Sequence, residues 1–155
     1  SMSSKRAFFP GSFDPFTKGH EAVLMKALTL FDEVVVGIGV HSSKSAYFTL
    51  ESRKAHIESV LNTDRIKVIS YKGLTVNACR ANQCDFIVRG LRDTKDFQYE
   101  RPIAYLNQDL GAVETIFILT ERIDAAINST IVREIYQNEG EISKFVTNPM
   151  ILIKQ

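Results

Sequence analysis

The chain has 155 residues, enough for one domain with a real core: a domain of this size buries about 70% of the surface its unfolded chain exposes. Lys and Arg number 19 against 18 Asp and Glu, a net charge of +1, which excludes a global basic field for nucleic acid or for an anionic membrane. Any charge that handles phosphate must therefore be local.

Along the chain, Ser1-Met2 reads as a cloning remnant, leaving 3–155 as the domain. No charged-then-apolar leader and no apolar run of about 18 residues is present, so the expectation is a soluble, cytoplasmic protein. Strands are predicted at Arg6–Phe9, Glu33–Val40, Ile66–Tyr71, Phe86–Arg89 and Glu114–Leu119, each rich in β-branched and aromatic residues. Between the first two, Val23, Leu24, Ala27, Leu28 and Phe31 recur at three- and four-residue offsets and form one apolar helical stripe. Thr49 can cap a second helix carrying Ile57, Val60 and Leu61, and Leu74–Asn82 makes a shorter third. That third helix holds Cys79, and Cys84 follows it; with no further ligands for zinc, both read as inert packing thiols in a reducing compartment. A fourth helical stretch puts Tyr99, Ile103, Leu106 and Leu110 on one face, but Pro102 must either start that helix or kink it. Asn128-Ser129-Thr130 offers a choice of N-caps to a helix through about Glu139, closed by Gly140. The tail, with Pro149 and the apolar Met150–Ile153, forms a last short helix.

Strands alternating with helices predict an α/β fold, one five-stranded parallel sheet flanked by helices. In such sheets the ligand crevice lies beyond the carboxyl ends of the strands, here the loops opening at Pro10, His41, Lys72, Arg89 and Thr120. The first of these, within FFPGSFDPFTKGH at 8–20, is the most distinctive. Gly11 lets backbone approach a ligand, Ser12 offers a hydroxyl and an N–H, and a loop before a helix N-terminus favours anions. His20 lies three and four residues before Val23 and Leu24 and so continues their inward stripe at its top, aimed at the crevice; a histidine there can also simply cap the helix.

Thr17-Lys18-Gly19-His20 resembles the T/H-x-G-H signature of the nucleotidyltransferase superfamily, and PGSFDPFTKGH resembles its form in the bacterial phosphopantetheine adenylyltransferase family. Two further blocks extend the resemblance: RGLRDTKDFQYE (Arg89 to Glu100), particular to that family, and INSTIVRE (Ile127 to Glu134), shared across the superfamily. The resemblance implies a Rossmann-like domain that joins ATP to 4′-phosphopantetheine, giving dephospho-coenzyme A and pyrophosphate. It implies magnesium held mainly by the ATP phosphates with no dedicated protein ligands, coenzyme A as a feedback ligand, and a homohexamer built as a dimer of trimers.

Residue by residue, the resemblance makes His20, Lys44 and Arg92 the catalytic set, converging on one triphosphate. Ser12 touches both substrates, and the Ser12-Phe13 backbone meets ATP. Gly90-Leu91-Arg92, Glu100 and the loop Asp124, Ala125, Ala126, Ile127, Asn128, Ser129 and Thr130 complete the nucleotide site. Lys44, Thr75 and Arg89 serve the phosphopantetheine. Structural alternatives stand beside these roles: a solvated Lys44, Thr75 as a plain N-cap, a salt-bridge cluster of Arg92, Asp93, Lys95 and Asp96, and helix capping alone at 128–130. Ser12 replaces a commoner threonine, Asn128 a usual serine, Gln98 a frequent glutamate and Asp124 a common aromatic, while Pro102 puts the placement of Glu100 in question. A phosphate monoester with second pKa of about 6 is already an anionic nucleophile at neutral pH, so positioning and charge stabilisation would carry the catalysis. Competing readings are a nicotinamide mononucleotide adenylyltransferase, which would favour histidine at Thr17, a cytidylyltransferase, and a catalytically silent nucleotide-binding module.

Overall fold

A computed structural model describes residues 4–120 and 126–155. Its elements run β1 (Arg6–Gly11), α1 (Lys18–Leu30), β2 (Glu33–Gly39), α2 (Leu50–Val60), β3 (Ile66–Tyr71), α3 (Thr75–Ala81), β4 (Phe86–Leu91), α4 (Thr94–Gly111), β5 (Glu114–Leu119) and α5 (Ser129–Gln137), followed by a single 3-10 turn at Pro149–Ile151. The strands form one parallel sheet in the order β3-β2-β1-β4-β5.

Alternation along β1 sorts its side chains between two cores. Ala7 and Phe9 face the helices α1 and α2 with Val23, Leu24, Ala27 and Ile57, whereas Phe8 faces α3 with Val76, Cys79 and Ile87. Of the apolar stripe expected on α1, Val23, Leu24, Ala27 and Phe31 are buried and Leu28 packs half-buried against them, and Cys79 and Cys84 are buried free thiols of the second core. A third cluster, Phe48, Val132, Ile142, Val146 and Leu152, ties α5 and the C-terminal segment to the loop before α2.

The strand order reverses direction between β1 and β4, and the two strands pair only at Ala7–Phe86 and Phe8–Ile87. The β1–β2 ladder, by contrast, continues from Arg6–Glu33 to Gly11–Ile38. β1 and β4 thus part toward their carboxyl ends, which opens a crevice at the switch point of the sheet.

Two expectations on the helices need correction. α4 runs from Thr94 to Gly111 with Pro102 inside it, so of the two readings of this proline the one that starts the helix there is excluded. The stripe Tyr99, Ile103, Leu106 and Leu110 does share one face of α4, and that face is exposed, because the inward side of this helix is the one carrying Glu100. α5 ends at Gln137, and the left-handed position falls on Glu139 (φ +63°), with the Gly140 N–H reaching Ile135 O at 2.8 Å. Gly140 is needed for a different reason: a Cβ there would sit 2.6 Å from Ile135 Cγ2.

Candidate active site

The crevice between the ends of β1 and β4 is a cavity of about 280 Å³, lined by Ser12, Phe13, His20, Arg89, Arg92 and Ser129 among others. Its floor is set by close packing: a Cβ on Gly90 would lie 2.8 Å from Val23 Cγ2, so only glycine lets β4 sit this near α1.

His20 enters the cavity as the third residue of α1. Thr17, the N-cap, accepts the His20 N–H on its hydroxyl at 3.4 Å, and in return donates its own backbone N–H to His20 Nδ1 at 3.0 Å. This reciprocal cap has a chemical consequence. A nitrogen that accepts an N–H bond carries no proton, so the neutral ring bears its proton on Nε2. Phe16 stacks on the ring at 5.5 Å and Phe13 meets it edge-on at 5.1 Å. Burial among these rings and then the positive charges of Arg89 and Arg92 push its pKa down to about 4. The residue is therefore both the cap and a neutral Nε2–H donor; the two readings of the sequence are one arrangement.

Arg89 spans the parted strands. It makes a bidentate pair with Glu100 (Nε–Oε2 3.0 Å, Nη2–Oε1 2.6 Å) and donates from Nη1 to Pro10 O at 2.6 Å. Glu100 is buried, so despite Pro102 it is firmly placed, as the partner that aims Arg89. Arg92 is half-free: its backbone N–H and Nε both reach Asp96 Oδ2, at 2.8 and 3.3 Å, while Asp93 caps α4. The salt-bridge cluster and the cavity cation thus coexist at one residue. Asn128 is the N-cap of α5, accepting from the Ile131 N–H at 2.9 Å, and Ser129 Oγ donates to Pro15 O at 2.8 Å.

The family model for cytidylyltransferase-like proteins matches residues 8–135. The phosphopantetheine adenylyltransferase of Bacteroides fragilis is 46% identical over 147 residues, 94% of this chain and 98% of its own. The chain belongs to the phosphopantetheine adenylyltransferase family. A second family member, from Flavobacterium psychrophilum, is 43% identical over 143 residues, covering 92% of this chain and 95% of its own. A bifunctional NMN adenylyltransferase/ADP ribose pyrophosphatase from Francisella tularensis superposes with a TM-score of 0.72 at 17% identity, over 96% of this chain and 49% of that one, a likeness of fold alone.

Of the residues expected from resemblance to this adenylyltransferase family, Ser12, Phe13, His20, Arg89, Gly90, Arg92, Glu100, Ile127, Asn128 and Ser129 share the cavity. Leu91 and Thr130 are not in the lining: the Leu91 carbonyl accepts the Thr120 N–H at 2.8 Å, and the Thr130 hydroxyl accepts from Arg133 Nη2 at 3.2 Å. Ala126 is exposed beside Ile127, and Asp124 and Ala125 lie outside the described residues. Lys44 does not join His20 and Arg92: it sits on the exposed turn after β2, outside the lining. Thr75 is not the N-cap of α3, which is Leu74; its hydroxyl pairs with Tyr71 OH at 2.9 Å.

Sequence reasoning did not single out the groups that hold the first loop. Asp14 accepts the Tyr47 and Phe48 N–H groups at 2.7 and 2.9 Å, Arg133 Nη1 donates to Asp14 O at 2.8 Å, and Arg53 Nη1 donates to Ser12 O at 2.7 Å. One signal for Arg53 was present: it precedes Ile57 by four residues and so shares the inward face of α2.

Proposed function

We propose that the chain transfers the adenylyl group of ATP to 4′-phosphopantetheine, forming dephospho-coenzyme A and pyrophosphate. A phosphate oxygen of phosphopantetheine forms the new bond to the α-phosphorus in line, and the bond from that phosphorus to the bridging oxygen breaks, pyrophosphate leaving with the electron pair. No protein nucleophile or base is required, since the acceptor phosphate is already anionic near neutral pH. The observation that carries this reading is the neutral His20 sharing one cavity with Arg89 and Arg92: an Nε2–H donor and two guanidinium groups suit the charge that shifts between the phosphoryl oxygens and the leaving group.

Ser12 and the Phe13 backbone, with Gly90, Arg92, Ile127, Asn128 and Ser129, receive the nucleotide. Arg89, aimed by Glu100, has N–H groups left for the phosphopantetheine phosphate, and Lys44 swings in from its exposed turn as that substrate binds. Magnesium arrives with ATP as part of the substrate. The carboxylates of Glu100 and Asp96 are engaged by Arg89 and Arg92, which suits a site whose donors meet phosphate and whose ion is held by the triphosphate oxygens. Coenzyme A, which contains the product's own pantetheine arm, acts as feedback ligand at the same cavity. The protein works as a cytoplasmic homohexamer, a dimer of trimers; no helix of the described residues is long and apolar enough to cross a membrane, and the exposed stripe on α4 supplies an apolar face for assembly.

The test is pyrophosphate release from MgATP, with 4′-phosphopantetheine and nicotinamide mononucleotide as acceptors in parallel. Release with the first acceptor alone supports the reading. Release with the second alone would make the chain a nicotinamide mononucleotide adenylyltransferase, and binding of MgATP with no release from either would make it a silent nucleotide-binding module.

A further inference from the structure

Arg53 is 5% exposed, a buried cation outside the cavity lining, and nothing in the chemistry above uses it. It projects from the inward face of α2 and donates to two carbonyls: Nη1 to Ser12 O at 2.7 Å and Nε to Phe48 O at 3.1 Å. Asp14, also buried, accepts the N–H groups of Tyr47 and Phe48, so a buried cation and a buried carboxylate grip the same two segments, 12–14 and 47–48. Burial works against the guanidinium charge, and Asp14 and Glu51 are the acidic groups that oppose this.

Between the two gripped residues lies Phe13, at φ +46°. A bulky residue in the left-handed region is strained and persists only where its surroundings over-determine it. Here they do: the Ser12 carbonyl is held by Arg53, the Asp14 carbonyl by Arg133 at 2.8 Å, and the Pro15 carbonyl by Ser129 at 2.8 Å. The carbonyl of Ser12 and the N–H of Phe13 belong to one planar peptide and point in opposite directions. The Ser12 oxygen is turned to Arg53, which is outside the lining, so the Phe13 N–H points the other way; Phe13 itself lines the cavity, and its N–H has no acceptor among the described residues.

We infer that Arg53 is a positioning residue, holding the Ser12–Phe13 peptide so that the Phe13 N–H is presented as a fixed donor to a nucleotide phosphate. This rests on the cavity being the nucleotide site. The arrangement supplies a preorganised donor that needs no rearrangement during reaction, the kind of dipole most effective in a partly dry site.

The experiment uses Arg53→Lys, which keeps the charge but cannot fork between Ser12 O and Phe48 O, with Arg65→Ala as control. Arg65 also grips carbonyls, those of Leu28, Phe31 and Asp32, but at the opposite end of α1. Steady-state kinetics with both substrates and thermal melts are recorded for each. Arg53→Lys should lower kcat about 10²-fold, the scale of a misplacement of about 1 Å, with the KM for phosphopantetheine little changed. Arg65→Ala should lower Tm and leave kinetics intact. Wild-type kinetics in Arg53→Lys, or equal kinetic losses in both variants, would overturn the assignment. Should Arg53→Lys fail to fold, the wild type still decides: the backbone amide of Phe13, followed by ¹H–¹⁵N NMR and hydrogen exchange, should exchange freely in the ligand-free protein and become shifted and protected on adding MgATP. An amide unaffected by MgATP would overturn the role. A Phe13 amide that responds to MgATP in a protein releasing no pyrophosphate would defeat the adenylyl-transfer reading while supporting the positioning one.

Discussion

The backbone N–H of Thr17 donates to Nδ1 of His20 across 3.0 Å, and this one bond decides which ring nitrogen carries the proton. Neutral His20 with Nε2–H follows, so ¹⁵N NMR of the ligand-free protein should show the Nε2–H tautomer at pH 7 and a titration midpoint of about 4. The sign for stability is fixed by the same shift. Unfolded histidine titrates near 6.5, so between there and about 4 the unfolded chain binds the extra proton and the native state loses stability as pH falls. His56, fully buried and also shifted down by burial, adds to the same slope. His20→Gln should therefore flatten only part of the acid limb of urea-melt stability. An unchanged limb would mean that His20 is not displaced.

Glu100→Gln tests the pair that spans the parted strands. Glutamine offers one oxygen where the guanidinium fork of Arg89 now meets two, and its amide N–H groups face N–H groups. Stability should fall by about 1–3 kcal/mol in urea melts. The kcat/KM for phosphopantetheine should fall by about 10-fold or more as Arg89 loses its aim. Loss of stability with unchanged kinetics would make the pair purely structural.

Lys44 is exposed: its backbone N–H donates to His41 O at 3.4 Å, and its ammonium meets no partner among the described residues. Lys44→Ala should leave the melting temperature where it is while raising the KM for phosphopantetheine and lowering kcat. An effect confined to ATP would contradict the role of Lys44 at the attacking phosphate.

Leu110, on the exposed stripe of α4, is 62% exposed in the single chain. Leu110→Glu should lower the mass seen by light scattering from that of a hexamer while far-ultraviolet circular dichroism stays native. A wild-type protein of monomer mass would remove the assembly proposal outright.

Much of the fold was legible because it is written in local periodicity. The strands Ile66–Tyr71 and Glu114–Leu119 fall where β-branched runs put them, and the stripe Val23, Leu24, Ala27 and Phe31 is buried. What periodicity reports is an apolar face, not what covers it: the stripe on α4 shares one face as its spacing indicates, and that face is exposed in the single chain. Similarly, a glycine after a helix signals the end of the helix more reliably than which residue turns left-handed, and at 139–140 the turn fell on Glu139. The site divides the same way. Residues on strand ends and helix starts, such as His20, Arg89 and Ser129, could be placed from their own neighbourhood. The Arg53–Ser12 and Arg133–Asp14 bonds join residues far apart in sequence, and only the folded chain brings them within reach.

The most direct test of the central claim, that a neutral imidazole stabilises adenylyl transfer without covalent chemistry, compares turnover and ATP affinity in His20→Ala. A donor that strengthens only as charge shifts should cost about 10²–10³ in kcat when removed, while the calorimetric Kd for MgATP moves by a few-fold at most. A variant that keeps full turnover, or one whose loss is matched by an equal loss of ATP affinity, would contradict it.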